Sequence, residues 1–175
     1  MKKPVGILTF VWILLVLPLA AKSFRVYTLN IDGNTVSVID PVTNKVVHTI
    51  DSIPWPRGSS FSPDGSRAYI CSESEHTVDV VDTKTFDIIK KVKLSGHPSG
   101  SLVITKDGKH LLVPMNPFYG LALTHHDPAD SGGVDVIDTA SLERVKTLPI
   151  KDAVHDLFRS PDGKYAIAGS ATANF

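Results

Sequence analysis

Apolar and polar residues alternate with a period of two along most of this chain, and this pattern predicts β-strands. The alternation is clearest in three similar segments that read Val-x-Val-(Ile/Val)-Asp, at residues 36–40, 78–82 and 134–138. The two Val side chains would lie on one side of the strand, and the Ile or Val before the Asp on the other. Each of these strands is therefore predicted to be covered on both faces. The apolar spacing of three and four that helices require is absent.

A tight-turn motif recurs beside these strands, and its spacing defines a repeat. The turns read Ser-Pro-Asp-Gly or Thr-Lys-Asp-Gly, at residues 62–65, 105–108 and 160–163. The turns are 43 and 55 residues apart and the strands 42 and 56, so both share a period near 42 with one insertion of about 14 residues. A period of about 40–45 residues that contains only strands indicates the four-stranded antiparallel blades of a β-propeller. We therefore predict an all-β fold of this class. The Asp residues in the turns are interpreted as local hydrogen-bond acceptors.

The predicted blades do not complete a ring. They occupy residues 25–51, 57–94, 99–150 and 155–169, where the first repeat has only strands two to four and the last only strands one and two. These are about three to three and a half blades, whereas propellers have about four to eight. We expect an incomplete propeller, part of a chain about twice as long. The alternative, in which two copies close one ring, would place two second strands at each junction.

Residues 1–23 have the pattern of a secretory signal peptide. Lys2 and Lys3 precede an uncharged stretch at residues 4–21, and small residues offer cleavage near Ala21 or Ser23. We therefore predict that the propeller domain is residues 24–175 and that it is exported to the periplasm, the cell surface or the medium. The uncharged stretch is also long enough to cross a bilayer, so an uncleaved N-terminal anchor is the alternative.

Charge and cysteine content exclude some functions. Lys and Arg number 18, as do Asp and Glu, so no basic surface for nucleic acid or for a membrane is predicted. The lone Cys71 cannot form an internal disulfide and is interpreted as a small buried residue on a central strand.

Two strands near the N-terminus resemble a known repeat. Tyr-Thr-Leu-Asn at residues 27–30 followed by Asn-Thr-Val-Ser-Val-Ile-Asp at 34–40 is similar to the YVTN-type β-propeller repeat, and the second repeat, residues 56–82, resembles it equally well. Similar repeats occur in secreted binding proteins, surface-layer proteins, lactonase-like enzymes, quinoprotein-associated propellers and the haem-binding propeller of periplasmic nitrite reductases. The resemblance therefore implies a propeller and leaves its activity open.

The third repeat departs from the pattern through an insertion at residues 114–133, where a short hairpin is expected. Long loops on a regular scaffold commonly carry binding sites. In a propeller, the loops between strands two and three lie on the same face as the crossings between blades. Five of the seven histidines map to that face, while His48 and His110 fall on strands. The five are His76, His97, His125, His126 and His155.

Histidines grouped with carboxylates can bind a transition metal, an axial haem position or an anion, because neutral imidazole is a nitrogen donor. Trp55 beside Arg57 offers an aromatic platform next to a cation, or else packs between blades. The predicted ligand-binding residues are Trp55, Arg57, His97, Tyr119 and His155, and the predicted metal ligands are His97, His125, His126, Asp127 and His155, with Asp130 and Asp152 on the same face.

Two functions remain open from the sequence. The favoured one is a secreted or periplasmic module that binds a small molecule or a protein, since motifs for nucleophilic catalysis and phosphate binding are missing and no catalytic residue is assigned. The alternative is an enzyme or redox accessory that uses a transition metal or haem, such as a lactonase-like hydrolase or a nitrite reductase-type propeller. In that alternative His97, His125 or His155 would be a ligand, assisted by Asp127 or Asp130.

Overall fold

The computed structural model describes residues 24–119, 125–126, 132–150 and 153–170, and only the backbone at 118–119 and 125–126. The predicted signal segment, residues 1–23, lies outside these ranges. The described residues form β-strands and turns, and none of them belongs to a helix able to span a membrane. In chain order the strands are β1 Val26–Asn30, β2 Thr35–Asp40, β3 Lys45–Ile50, β4 Pro56–Phe61, β5 Arg67–Ser72, β6 Thr77–Asp82, β7 Ile88–Lys93, β8 Val103–Ile104, β9 His110–Met115, β10 Phe118–Tyr119, β11 His125–His126, β12 Gly133–Asp138, β13 Glu143–Pro149, β14 Asp156–Arg159 and β15 Ala166–Gly169.

The strands form antiparallel sheets that follow the predicted repeat. Blade 1 is β1-β2-β3, blade 2 is β4-β5-β6-β7, blade 3 is β8-β9-β12-β13, and blade 4 is β14-β15. The pairings among the described strands do not join blade 4 to blade 1. The prediction of an all-β propeller, incomplete over the described residues, is confirmed.

The core lies between successive blades, because the central strand of each blade is apolar on both faces. Val78 and Val80 pack toward blade 3, in a cluster with Leu111 and Ile137. Val81, next along the same strand, joins the cluster on the opposite side, with the blade 1 residues Val36 and Val38. All of these side chains are fully buried. The predicted burial on both faces is therefore confirmed for β6.

The repeated Asp residues act locally, as predicted. At the end of β6, Asp82 Oδ1 accepts hydrogen bonds from the backbone N–H groups of Lys84 and Thr85, at 2.8 and 2.9 Å. In the Pro-Asp-Gly turn, Asp64 accepts from the Ser62 hydroxyl and from the backbone N–H of Ser66, and these bonds lower its pKa to about 2. Gly65 closes this turn with a φ of 73°, a left-handed conformation that favours glycine.

Two details differ from the prediction. The inner strand β4 begins at Pro56, one residue before the predicted start of the blade at residue 57. The insertion is not entirely loop, since β10 and β11 form a short antiparallel hairpin within it, so His125 and His126 lie on a strand.

Cys71 is fully buried on β5, and burial strongly raises the pKa of its thiol.

Candidate functional site

Three chain segments meet on the loop face, which is the face that carries the β5–β6 loop, the crossings between blades and the insertion. The His76 carbonyl in the β5–β6 loop accepts a hydrogen bond of 2.9 Å from the N–H of Leu94, just after β7. His97 lies in the crossing that follows, and its carbonyl accepts a bond of 3.0 Å from the N–H of Asn116, where the insertion begins. These two backbone hydrogen bonds therefore connect the loops of blades 2 and 3 on this face.

This convergence brings two predicted histidines into ring contact. The His76 and His97 ring centroids are 3.8 Å apart, with an angle of 63° between the ring planes, so the rings meet edge to face. His97 is 7% exposed, and His76 is half-buried with a φ of 51°. Asn34 has a φ of 54° at the corresponding position of blade 1, so this left-handed residue before the third strand belongs to the repeat. The left-handed backbone at His76 is therefore a feature of the repeat. The side chain at this position differs between the blades, since blade 1 has an asparagine where blade 2 has a histidine.

An ion pair lies on the same face. Arg57 Nε is 2.9 Å from Glu73 Oε2, and the Glu73 side chain is 3% exposed. Trp55 is fixed from both sides, because its N–H donates to Asn34 Oδ1 at 3.0 Å and its carbonyl accepts from the Glu73 N–H at 3.0 Å. Trp55 and Arg57 are thus both anchored on Glu73, which sequence reasoning missed. The predicted cation, Arg57, is therefore paired with a buried carboxylate.

The insertion begins beside this cluster, at Asn116. Asn116 is 1% exposed at its base, and the hairpin pairs Phe118 with His126 and Tyr119 with His125. The side chains of Tyr119, His125 and His126 are not described, and the predicted residues Asp127, Asp130 and Asp152 lie outside the described residues.

His155 forms a second arrangement, at the junction of blades 3 and 4. Its Nδ1 is 2.8 Å from Asp156 Oδ2, while Asp156 Oδ1 accepts a hydrogen bond of 2.9 Å from the Ser101 N–H. The hydrogen bond with His155 is the main reason that the pKa of Asp156 is lowered. Asp156 lies four residues before the Ser-Pro-Asp-Gly turn of its blade, as Gly58 does in blade 2. A carboxylate where blade 2 has glycine, directly after a histidine, is a sequence signal that could have revealed this pair.

The described residues alone do not form a metal centre. Within them, no group of three or more His, Cys, Asp and Glu side chains is placed to hold a metal ion. Of the predicted metal ligands, His97 and His155 have described side chains. The His97 ring contacts His76, and the His155 ring is hydrogen-bonded to Asp156. The set of five ligands therefore remains a prediction.

The described strands form antiparallel blades that pack face to face, with several of their loops on one face. This arrangement defines a β-propeller protein. Comparisons with known proteins agree at this level. The chain is 29% identical over 153 residues to "Uncharacterized protein YncE" from Salmonella typhimurium and to the protein of that name from Salmonella typhi, an alignment covering 85% of this chain and 39% of each relative. Among solved structures, a chain of Kuenenia stuttgartiensis hydrazine synthase matches with a TM-score of 0.70 and 27% identity over 81% of this chain and 39% of that one.

The chain therefore spans about two fifths of the length of the relatives it matches. No protein-family model matches it. The likenesses support a β-propeller, while the finer resemblance to the YVTN-type repeat stays a prediction.

Proposed function

We propose that this protein is an exported binding module whose ligand site lies on the loop face at the junction of blades 2 and 3. The observation that carries the proposal is the polar cluster there: His76, His97, Asn116 and the Arg57–Glu73 pair, mostly buried where the loops of two blades meet the base of the insertion. Burying polar side chains has a free-energy cost, and proteins keep such groups together where they pair with one another or with a ligand. The site would take a small polar molecule or a polar segment of a protein.

Two side chains that could act as nucleophiles are held in structural roles, which favours binding over covalent catalysis. Cys71 is buried, and its raised pKa keeps it in the thiol form, which is a poor nucleophile. The Ser99 hydroxyl donates to the Val154 carbonyl at 2.7 Å and joins blade 3 to blade 4.

Export is supported by the basic start and the uncharged stretch of residues 1–23. Cell fractionation with N-terminal sequencing of the recovered protein tests it. We expect a mature N-terminus near residue 22 or 24 in an exported fraction, whereas cytoplasmic protein that retains Met1 would refute export.

The site is tested by ligand-induced thermal stabilisation of untagged protein, using Zn²⁺, Cu²⁺, haemin and small dicarboxylates as probes. We expect at least one probe to raise the unfolding temperature, His76→Ala to abolish the rise, and His110→Ala, a histidine on a strand, to retain it. Equal responses in the two variants would place binding elsewhere. If no probe stabilises the protein and His76→Ala matches wild type, the proposal loses its support.

A metal- or haem-dependent enzyme or redox accessory is the second candidate, and the His155–Asp156 pair favours it. Histidines that bind metals commonly donate their other ring N–H to a carboxylate, which orients the free nitrogen. His155 bonds Asp156 through Nδ1, and this arrangement would present Nε2 to a ligand. Metal analysis and an absorption spectrum of untagged protein distinguish the candidates. A stoichiometric metal or a haem band that is lost in His155→Ala would support this second function over simple binding.

A further inference from the structure

A polar crevice separates blades 2 and 3 at the end of β5 that is opposite the β5–β6 loop, so it lies away from the site proposed above. Its volume is about 380 Å³, within the range of roughly 300–1,000 Å³ that small-molecule sites occupy. All four strands of both blades are described. The polar side chains that line the crevice include those of Asp64, Ser66, Arg67, Tyr69, Asp107 and Thr139.

Arg67 is fixed across the crevice. Its Nη1 donates a hydrogen bond of 2.7 Å to the Thr139 carbonyl, which links β5 to blade 3. Thr139 is itself held in place, because its hydroxyl donates to the Gly108 carbonyl at 2.6 Å and its N–H to the Lys109 carbonyl at 2.9 Å. A guanidinium carries five N–H donors, and the described residues show neither a second hydrogen bond nor an ion pair for Arg67. A fixed guanidinium with unused donors is well suited to bind a carboxylate.

Tyr69 adds a second donor on the same side of β5, since residues two apart on a strand share a face. It is 1% exposed and packs in the core between blades 2 and 3. Its hydroxyl makes no hydrogen bond with the described residues, and it is not among their fully buried polar atoms without a partner. The small surface that Tyr69 exposes therefore includes the hydroxyl, and Tyr69 lines the crevice. Because buried tyrosines usually bond through the hydroxyl, this group is placed for a ligand.

Two carboxylates lie in the same crevice, one from each blade. The pKa of Asp64 is lowered to about 2, mainly by the hydrogen bond from the Ser62 hydroxyl, and the pKa of Asp107 is lowered mainly by that from the Thr105 hydroxyl. Both groups are therefore charged at neutral pH. Neither forms an ion pair within the described part of the chain. Their hydrogen bonds fix their positions and leave negative charge for a ligand cation.

This combination is not a feature of every junction. Counting 43 residues on from one turn to the next, the position of Tyr69 is taken in blade 3 by Leu112, which has no donor. The position of Pro63 is taken by Lys106, and its longer side chain lies against blade 4, because a Cβ on Gly163 would be 2.7 Å from Lys106 Cβ. The donor and the open space thus occur together between blades 2 and 3.

We propose that this crevice binds a small zwitterion that carries one carboxylate and one ammonium group, such as a free amino acid. The guanidinium of Arg67 and the hydroxyl of Tyr69 donate to the carboxylate, and Asp64 and Asp107 accept from the ammonium. Hydrogen bonds between charged groups are stronger than those between neutral ones, and the two ends of the ligand match the two kinds of charge. A divalent metal ion would instead meet the positive charge of Arg67.

The test is a titration of untagged, isotope-labelled protein with glycine, β-alanine and γ-aminobutyrate, followed through its amide signals by NMR. We expect saturable shifts at Gly65, Tyr69 and Gly108 with at least one of the three, and none at His76 on the loop face. Acetate and methylammonium each carry one of the two charges, so both should bind about tenfold more weakly or less.

Two variants assign the contacts. Tyr69→Phe keeps the buried ring and removes the hydroxyl, so we expect the dissociation constant to rise about tenfold, with an unchanged midpoint of thermal unfolding. Asp107→Asn should raise it about threefold at low salt and less at high salt. Asp162→Asn is the matched control, because Asp162 has the same turn contacts in blade 4 and does not line the crevice.

Other results overturn the proposal. If none of the three zwitterions gives a saturable shift, or only Ca²⁺ added alone does, the crevice is not a zwitterion site. Acetate that binds as tightly as the zwitterions would reduce it to an anion site. Equal affinities of wild type and Tyr69→Phe, or equal losses in Asp107→Asn and Asp162→Asn, would place binding elsewhere. The unfolding midpoint of each variant shows that loss of folding does not imitate these results.

Discussion

The buried carboxylate of Asp135 joins the crossing between blades 2 and 3 to the interior of blade 3, and its replacement by alanine tests how much this link stabilises the fold. Asp135 is fully buried on β12. Its Oδ2 accepts a hydrogen bond of 2.8 Å from the Ser95 N–H, and its Oδ1 accepts from the Ser95 hydroxyl at 3.0 Å and from the Thr147 hydroxyl at 2.6 Å. Arg144 Nη1 lies 3.6 Å away and supplies a positive charge.

The expected cost follows from these contacts. Hydrogen bonds to a charged group each contribute about 1.5–3 kcal/mol, but Ser95 is exposed and Thr147 partly so, and both can regain water in the variant. We therefore expect Asp135→Ala to lower the free energy of unfolding by about 4 kcal/mol, less than the sum of the three bonds. For a chain of this length, the midpoint of thermal unfolding should fall by roughly 8–16 °C.

Asp135→Asn separates charge from geometry. The amide oxygen can still accept from Thr147, but the amide nitrogen would face the Ser95 N–H, donor against donor, which should cost about 2 kcal/mol. Urea unfolding followed by circular dichroism measures both variants, and the exposed residue Asp87 offers the control Asp87→Asn, expected within about 0.5 kcal/mol of wild type. If Asp135→Ala lies within about 1 kcal/mol of wild type, the assigned link is refuted.

Three further predictions rest on separate features. Gly100→Ala should destabilise the protein by about 1–3 kcal/mol, because the new Cβ would lie 2.2 Å from Asp156 Oδ1; Gly33→Ala, whose nearest neighbour would be at 3.5 Å, is the matched control, and equal unfolding midpoints would contradict the close blade approach. Cys71 should resist iodoacetamide in the folded protein and react after unfolding in urea, since burial raises the pKa of its thiol; rapid labelling of native protein, detected by mass spectrometry, would argue against that burial. The lowered pKa of Asp64, about 2, means that its stabilising effect is present above the ordinary value near 3.9 and is lost as the pH falls toward 2, so Asp64→Asn should flatten the acid decline of the unfolding midpoint, and an unchanged decline would contradict it.

Several elements could be predicted because the interactions that form them are short in sequence. The turn at Asp64 depends on Ser62 and Ser66, two residues away on either side, so its motif is visible in any window of the chain. The repeat then places the strands by counting, and the apolar residues at Val78, Val80 and Val81 show that both faces are covered. Strand boundaries could not be predicted in this way, since the start of β4 depends on pairing with β5.

The candidate site was predictable as a region and not as a set of contacts. Strand alternation assigned His76 and His97 to one face, and the structure places their rings in contact. Glu73 was missed, because an acidic residue in a loop gives no sign of its burial or of its pairing with Arg57, 16 residues earlier in the chain. The roles of Tyr119 and the other insertion residues remain predictions.

The sequence by itself determined the repeat, the class of fold and the face on which long loops gather, because propeller blades arise from alternation and turn chemistry that act over a few residues. Only the tertiary structure decided which side chains meet: the His76–His97 contact, the buried Arg57–Glu73 pair and the orientation of His155 by Asp156. The physical reason is that these contacts depend on loop conformations and side-chain orientations that are set by packing with residues distant in the sequence. No local pattern of apolar and polar residues encodes that packing.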